Sequence, residues 1–201
     1  MRNIIRKNIL PREFYSRDPI RVARDILGKT LLRRINREYI GGPIVEVEAY
    51  VGVGDPASII HQRSRRNIAR GLYGEPGELF IYMVHGNWLL CITVDEAGKP
   101  SAIHIRAIEP KYGLPIMRMN RGVKDDRLLT SGPGRLTRAL SIDKTLNGVK
   151  VYEADSPLIV VDEGMEISDE DIVEAHRIGV VRDLDIPLRF YIKGSRWVSR
   201  R

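Results

Sequence analysis

The sequence predicts an α+β fold: one domain with a curved antiparallel β-sheet, surrounding helices and a protruding β-hairpin. Three observations carry the prediction. Runs alternating apolar and polar residues recur along the chain, residues 45–50 most cleanly, and such alternation marks strands with two unlike faces. Short amphipathic stretches with helix-opening residues lie between them. No repeat, low-complexity tract or Gly/Ser linker interrupts the 201 residues, so residues 1–201 read as a single unit with an N-terminal arm over 1–15.

In chain order, Leu10-Pro11 and Phe14-Tyr15 are docking points for the arm. Asp18 is a suitable N-cap, Pro19 suits a first helical position, and Ile20, Ala23, Ile26 and Leu27 form one stripe that Gly28 ends. Residues 30–34 and 42–50 read as strands joined across Asn36-Arg37-Glu38. Residues 51–77 lack sustained periodicity, which in a compact domain points to a functional or disordered loop. Residues 78–84 and 88–94 form a hairpin around the turn residues His85-Gly86-Asn87, followed by a strand over 102–108 that sets Ile103 and Ile105 against His104 and Arg106. Leu114, Met117, Met119 and Arg121 predict an amphipathic helix, Ser131-Gly132-Pro133-Gly134 leads into a helix over 135–140, and Ser168-Asp169-Glu170-Asp171 reads as a capped start to a helix through 176. Residues 188–195 read as a final strand and turn, with Trp197 and Val198 covering the end of the core.

Composition narrows the function classes. A hydrophobic fraction of 43% and a charged fraction of 29% describe a globular protein large enough to bury about 70% of its unfolded surface. No apolar run is long enough to cross a bilayer and no signal-peptide pattern opens the chain, so the expectation is a cytoplasmic protein. One cysteine, Cys91, excludes an internal disulfide and any multi-cysteine metal site; its apolar neighbours make it a core residue. A net charge of +7 suits a polyanionic partner, although many basic proteins bind nothing acidic.

The chemistry-bearing stretch is Glu46-Val47-Glu48-Ala49-Tyr50. A strand here turns Val45, Val47 and Ala49 to a core and Glu46, Glu48 and Tyr50 to the other face. Two carboxylates one strand repeat apart raise each other's pKa, and the ring offers a stacking surface. These are parts for hydrolysing a glycosidic bond, and equally the wet face of a half-buried strand. Arg63, Arg65, Arg66 and Arg70 in the long loop suit phosphate contact or a solvated charge run. The Ser131-Gly132 turn could present backbone N–H groups to a phosphate or simply open a helix.

Several separated segments together resemble one family. Ile26-Leu27-Gly28-Lys29, the stretch from Ile44 to Tyr50, Arg70-Gly71 with Pro76-Gly77, Arg106-Ala107-Ile108-Glu109-Pro110, Ser131-Gly132-Pro133, Arg177-Ile178-Gly179-Val180 and Pro187-Leu188-Arg189-Phe190-Tyr191 look like the alkyladenine, or 3-methyladenine, DNA glycosylase family, in order from about Leu10 to Ser199. The resemblance implies a monofunctional base-excision repair enzyme, acting as a monomer on double-stranded DNA that contains alkylated or deaminated purines, with no cofactor and no metal. In a prokaryote, DNA binding would associate it with the nucleoid. It implies Glu48 as the residue that activates water and Arg106 as its basic partner. Tyr50 and Tyr82 become the stacking rings, with Ile59, His61, Ile92 and Ile178 completing the base pocket. His85 takes the intercalating position, and Arg63, Arg65, Arg66, Arg70, Ser131 and Gly132 contact phosphates.

Three positions depart from the family pattern. Ile59 falls where the family has a pocket histidine, unless a local shift brings in His61; His85 replaces an intercalating tyrosine; Ile92 replaces an asparagine associated with rejecting guanine. These leave the preferred lesion open, and no acid for protonating neutral leaving bases is evident. The competing class is a lesion-binding protein of the same fold without catalysis; a basic RNA- or acyl-processing enzyme has only net charge behind it.

Overall fold

Strand β2 (Glu38–Tyr50) organises the fold. It belongs to a computed structural model that describes residues 8–200, so residues 1–7 of the expected arm lie outside the described residues. The first half of β2 pairs with β1 (Thr30–Ile35) across the Asn36-Arg37 turn, where Asn36 adopts φ 55°. Its second half lies between β5 (Ser101–Ile108) and β8 (Arg189–Ile192). With β3 (Leu79–Val84), β4 (Asn87–Val94), β6 (Leu158–Val161) and β7 (Ile172–Ala175), the open sheet has eight strands in the order β3-β4-β5-β2-β1-β6, and β7 and β8 branch from β2. Every named pair is antiparallel, as expected for an α+β domain.

The main core lies between one face of this sheet and most of the helices. After the short α1 (Arg12–Tyr15), α2 (Pro19–Asp25) starts where Asp18 accepts from the backbone N–H groups of Ile20 and Arg21 at 3.0 and 3.1 Å, a cap worth about 1 kcal/mol. Val22, Ala23, Ile26 and Leu27 pack into the core, and Gly28 turns the chain at φ 80°. Tyr15 is fully buried and Leu10 nearly so, which anchors the described part of the arm. Between the sheet's long strands come α3 (Arg66–Ala69), α4 (Leu114–Arg121), α5 (Arg127–Thr130) and α6 (Pro133–Ala139). On α4, Met117 is buried whereas Met119 is 75% exposed, so only part of the predicted apolar stripe faces inward.

Two expectations need correction. The loop over 51–77 is ordered as successive single turns, Gly52–Gly54, Ile59–His61, Arg63–Arg65 and Arg70–Tyr73, with α3 between the last two. It has its own small core of Ile59, Ala69, Leu72, Phe80, Cys91 and Ala102. The acid-rich start at Ser168 makes one 3₁₀ turn, Asp169–Asp171, and then becomes strand β7. There β-branched Ile172 and Val173 find a ladder partner in β8, and tertiary pairing overrides the local helix signal.

Candidate active site

The centre of β2 is covered on both edges. Glu46 and Glu48 pair with β5 on one side and β8 on the other, and neither carboxylate has solvent exposure. The ladder against β5 is irregular between Ile44 and Val47, so the alternation expected for 45–50 breaks there. Ile44, Val47 and Ala49 enter the main core, while Val45 joins a separate cluster with Ala107 and Trp197.

Buried carboxylates need partners, and arginines supply them. Glu46 accepts from Arg106 Nε at 2.9 Å, Arg189 at 3.1 Å, and the backbone N–H and hydroxyl of Ser199 at 2.6 and 2.8 Å. Glu48 Oε1 accepts from the Ile178 N–H at 2.8 Å and lies 3.0 Å from a terminal nitrogen of Arg106. Its Oε2 accepts from the Tyr50 hydroxyl at 3.2 Å and lies 3.5 Å from His104 Nδ1. Burial by itself would raise the Glu48 carboxyl, but His104, Arg106 and the Ile178 N–H more than reverse that and hold it at about 2. The mutual raising of two carboxylates expected from the strand repeat is thus overturned for Glu48, because Arg106 lies within reach of both. Burial likewise opposes the charge on Arg106, and the attraction of Glu48 and Glu46 raises it overall.

These groups open onto a cleft of about 920 Å³ whose lining includes Glu48, Tyr50, Tyr82, His104 and Arg106. The β3–β4 hairpin forms one wall. At its tip His85 and Gly86 have φ of 48° and 74°, positive at both central positions as a two-residue type I′ turn requires. Helix α6 braces the hairpin close to its tip: the Thr137 hydroxyl donates to the Trp88 carbonyl at 2.9 Å. Gly134 packs so closely that a Cβ there would fall 2.6 Å from Asn87 Oδ1.

Each tyrosine ring has an arginine over it. Tyr82 stacks on Phe80 with centroids 5.1 Å apart, and the Arg65 guanidinium lies 5.9 Å from its ring. Arg177 lies 4.5 Å from the Tyr50 ring. Its guanidinium, wholly buried, binds both oxygens of the equally buried Asp55 at 2.6 and 2.7 Å, the Asp183 carboxylate at 2.5 and 3.0 Å, and the Ala49 carbonyl at 2.9 Å. Asp55 in turn accepts from the backbone N–H groups of Val51 and Ala57. The Arg177–Asp55 pair therefore ties the loop after β2 to the segment carrying Ile178, on opposite sides of Tyr50.

The expected site residues separate into two groups. Glu48, Arg106, Tyr50, Tyr82, His61, Ile178, His85, Arg65, Ser131 and Gly132 all line this cleft. His61 Nε2 donates to the Val53 carbonyl at 2.9 Å, an arrangement that brings the ring to the cleft from a 3₁₀ turn. The others lie elsewhere. Ile59 belongs to the small core under the long loop, and Ile92 is fully buried in the main core, so neither is a pocket wall. Arg63 and Arg66 are exposed outside the cleft lining, and Arg70 lines a second cavity of about 720 Å³ beyond β3.

Sequence reasoning missed His104, Asp55, Arg177, Arg189 and Ser199. The signal for His104 was present: it shares the polar face of β5 with Arg106, and the sheet register sets it directly opposite Glu48. Arg189 and Ser199 reach Glu46 across 143 and 153 residues, and Asp55 acts through Arg177, 122 residues away, separations that no local pattern spans.

Residues 13–196 match the family model described as methylpurine-DNA glycosylase. A protein of Methanoculleus marisnigri, assigned by inference as a 3-methyladenine DNA glycosylase, is 41% identical over 196 residues, covering 96% of this chain and 99% of its own. Similar proteins with the same assignment occur in Carboxydothermus hydrogenoformans, 37% identical over 96% of this chain and 100% of that one, and in Aeropyrum pernix, 39% identical over 96% and 93%.

Proposed function

The chain belongs to the methylpurine-DNA glycosylase family, and from that premise we propose that it removes alkylated or deaminated purines from duplex DNA by a Glu48-activated water. The observation that carries this reading is the ionised Glu48 carboxylate, fixed by Arg106 and the Ile178 N–H at a cleft that also contains two tyrosine rings.

A stacked base offers no access to its glycosidic bond, so the nucleotide must first rotate into the cleft, at a cost of a few kcal/mol that is least where pairing is weakened. Tyr50 and Tyr82 hold the base, and Glu48 accepts a proton from the water that attacks the anomeric carbon. The glycosidic electron pair departs with the purine. Because an alkylated purine begins positively charged, it leaves neutral, and one carboxylate suffices where ordinary glycosidases use two. Glu48 has no solvent exposure, so admission of this water accompanies entry of the nucleotide. Arg106, balanced between Glu46 and Glu48, keeps the carboxylate ionised and carries positive charge towards the DNA backbone.

The direct test incubates the full chain with duplexes each carrying a single 3-methyladenine, 7-methylguanine or hypoxanthine and identifies the released bases. Release of free purine is expected with the sugar–phosphate strand left intact; binding without release would instead identify a lesion-binding protein. The cationic groups at the cleft give a second expectation. Arg65, Arg135 and Arg182 line it, so duplex affinity should fall steeply with salt, with a log–log slope of about −0.9 for each phosphate neutralised. A flat titration would deny these arginines a role in phosphate binding.

The hairpin tip supplies the wedge in this proposal. His85 is exposed on a two-residue turn, and in this reading it fills the gap left by a flipped nucleotide. His85→Ala should weaken lesion-duplex binding and base flipping, read by fluorescence of 2-aminopurine beside the lesion. Unchanged affinity and fluorescence would reject the wedge.

A further inference from the structure

His104 is an unusual residue at the centre of a covered sheet. It is 3% exposed, its strand neighbours Ile103 and Ile105 are fully buried apolar residues, and its Nε2 has no hydrogen-bond partner among the described residues. A buried polar atom without a partner is destabilising, so an apolar side chain would serve β5 better unless the other ring nitrogen has a task. That nitrogen, Nδ1, lies 3.5 Å from Glu48 Oε2, and the two residues are register partners across the β2–β5 ladder.

The two oxygens of Glu48 are held differently. Oε1 has two short contacts, 2.8 Å to the Ile178 N–H and 3.0 Å to Arg106. Oε2 has two longer ones, 3.2 Å to the Tyr50 hydroxyl and 3.5 Å to His104. Oε2 is thus the oxygen with capacity for an incoming water, and the imidazole limits how far it can swing. Around this pair stand Tyr50 on β2, Arg106 on β5 and Cys91 on β4, the last opposite His104 in the ladder. Burial raises the Cys91 thiol and the Tyr50 phenol. Both therefore keep their protons, and the Tyr50 hydroxyl stays a donor to Oε2 beside the imidazole.

We infer that His104 is a positioning residue for the reaction, its Nδ1 fixing Glu48 Oε2 as the oxygen that receives the proton of water. The inference rests on the proposed role of Glu48 and extends it to a group that acts through that carboxylate. The contact also helps keep the carboxylate ionised, since His104 is among the groups that hold Glu48 at about 2 against the effect of burial.

The test uses the full chain and a duplex with one alkylated purine. His104→Leu should lower single-turnover base release about tenfold to a hundredfold, the scale of a misoriented reacting group, with lesion-duplex affinity within about twofold. His104→Asn, whose amide N–H reaches the Nδ1 position, should recover most of the rate, while His104→Gln, which places its amide near Nε2, should not. Combined with Glu48→Gln, His104→Leu should leave the residual rate unchanged, because the group it positions is already gone. The inference is overturned if His104→Leu releases base at the wild-type rate, if Asn and Gln rescue equally, or if the loss is as large without the Glu48 carboxylate. Should the Leu variant fail to fold, the Asn and Gln comparison alone decides. Failure of the unaltered chain to release any purine would instead overturn the proposed function.

Discussion

Glu48→Gln should lower single-turnover release of an alkylated purine by about 10²–10⁴-fold, the range for removing a positioned general base. Glutamine retains a carbonyl oxygen for the Ile178 N–H, and Arg106 keeps its bond to Glu46, so the fold and the lesion affinity should survive. What is lost is the ability to take a proton from water. Retention of near wild-type rate would remove Glu48 from that role. A pH consequence accompanies the same group. Its pKa is lowered from an ordinary 4.5 to about 2, so the unfolded chain binds this proton more readily than the native one. The contribution of Glu48 to stability is therefore complete above the ordinary value and is lost as pH falls through about 2.

Asp55→Ala should have the largest effect on stability, about 3–5 kcal/mol, the scale for removing one partner of a buried ion pair. Arg177 would retain Asp183 but lose its bidentate partner, and the N–H groups of Val51 and Ala57 would lose their acceptor. Both loops beside Tyr50 should loosen together, so base release should fall as well. The denaturant midpoint checks the first outcome and single-turnover release the second. A midpoint shift equivalent to under about 1 kcal/mol would place the pair among those that contribute little.

Much of this was legible in the sequence, for identifiable reasons. The Asp18-Pro19 helix start, the Asn36 and His85-Gly86 turns and the strand over 102–108 are governed by local rules, and each appears within a residue or two of its expected place. Glu48, Tyr50, Tyr82 and Arg106 were expected together and share one cleft. Failures arose where local pattern and tertiary pairing disagree. Ser168 to Asp171 has the composition of a helix cap, yet β8 recruits the following residues into a strand. Ile59 and Ile92 fall at pocket positions by ungapped matching and are buried in three dimensions, Ile92 because the cleft is lined by the opposite face of β4 and Ile59 because it packs into the small core behind Tyr82. The direction of the Glu48 pKa shift was misread because the deciding neighbours come from positions 104, 106 and 178.

The position of β8 bears on how the molecule assembles. Glu46 meets Arg189 across 143 residues of chain and Ser199 across 153, so two of its hydrogen-bond partners are synthesised long after β2. A nascent chain can form β1, β2 and β5 early, but until β8 docks it must leave that carboxylate hydrated or enclose an under-compensated anion. Long-range closure of this kind slows folding. The surroundings of Glu46, and through Arg106 those of Glu48, are thereby completed only when β8 docks, and a chain halted before residue 189 would have the sheet's central strand without the Arg189 and Ser199 partners of Glu46.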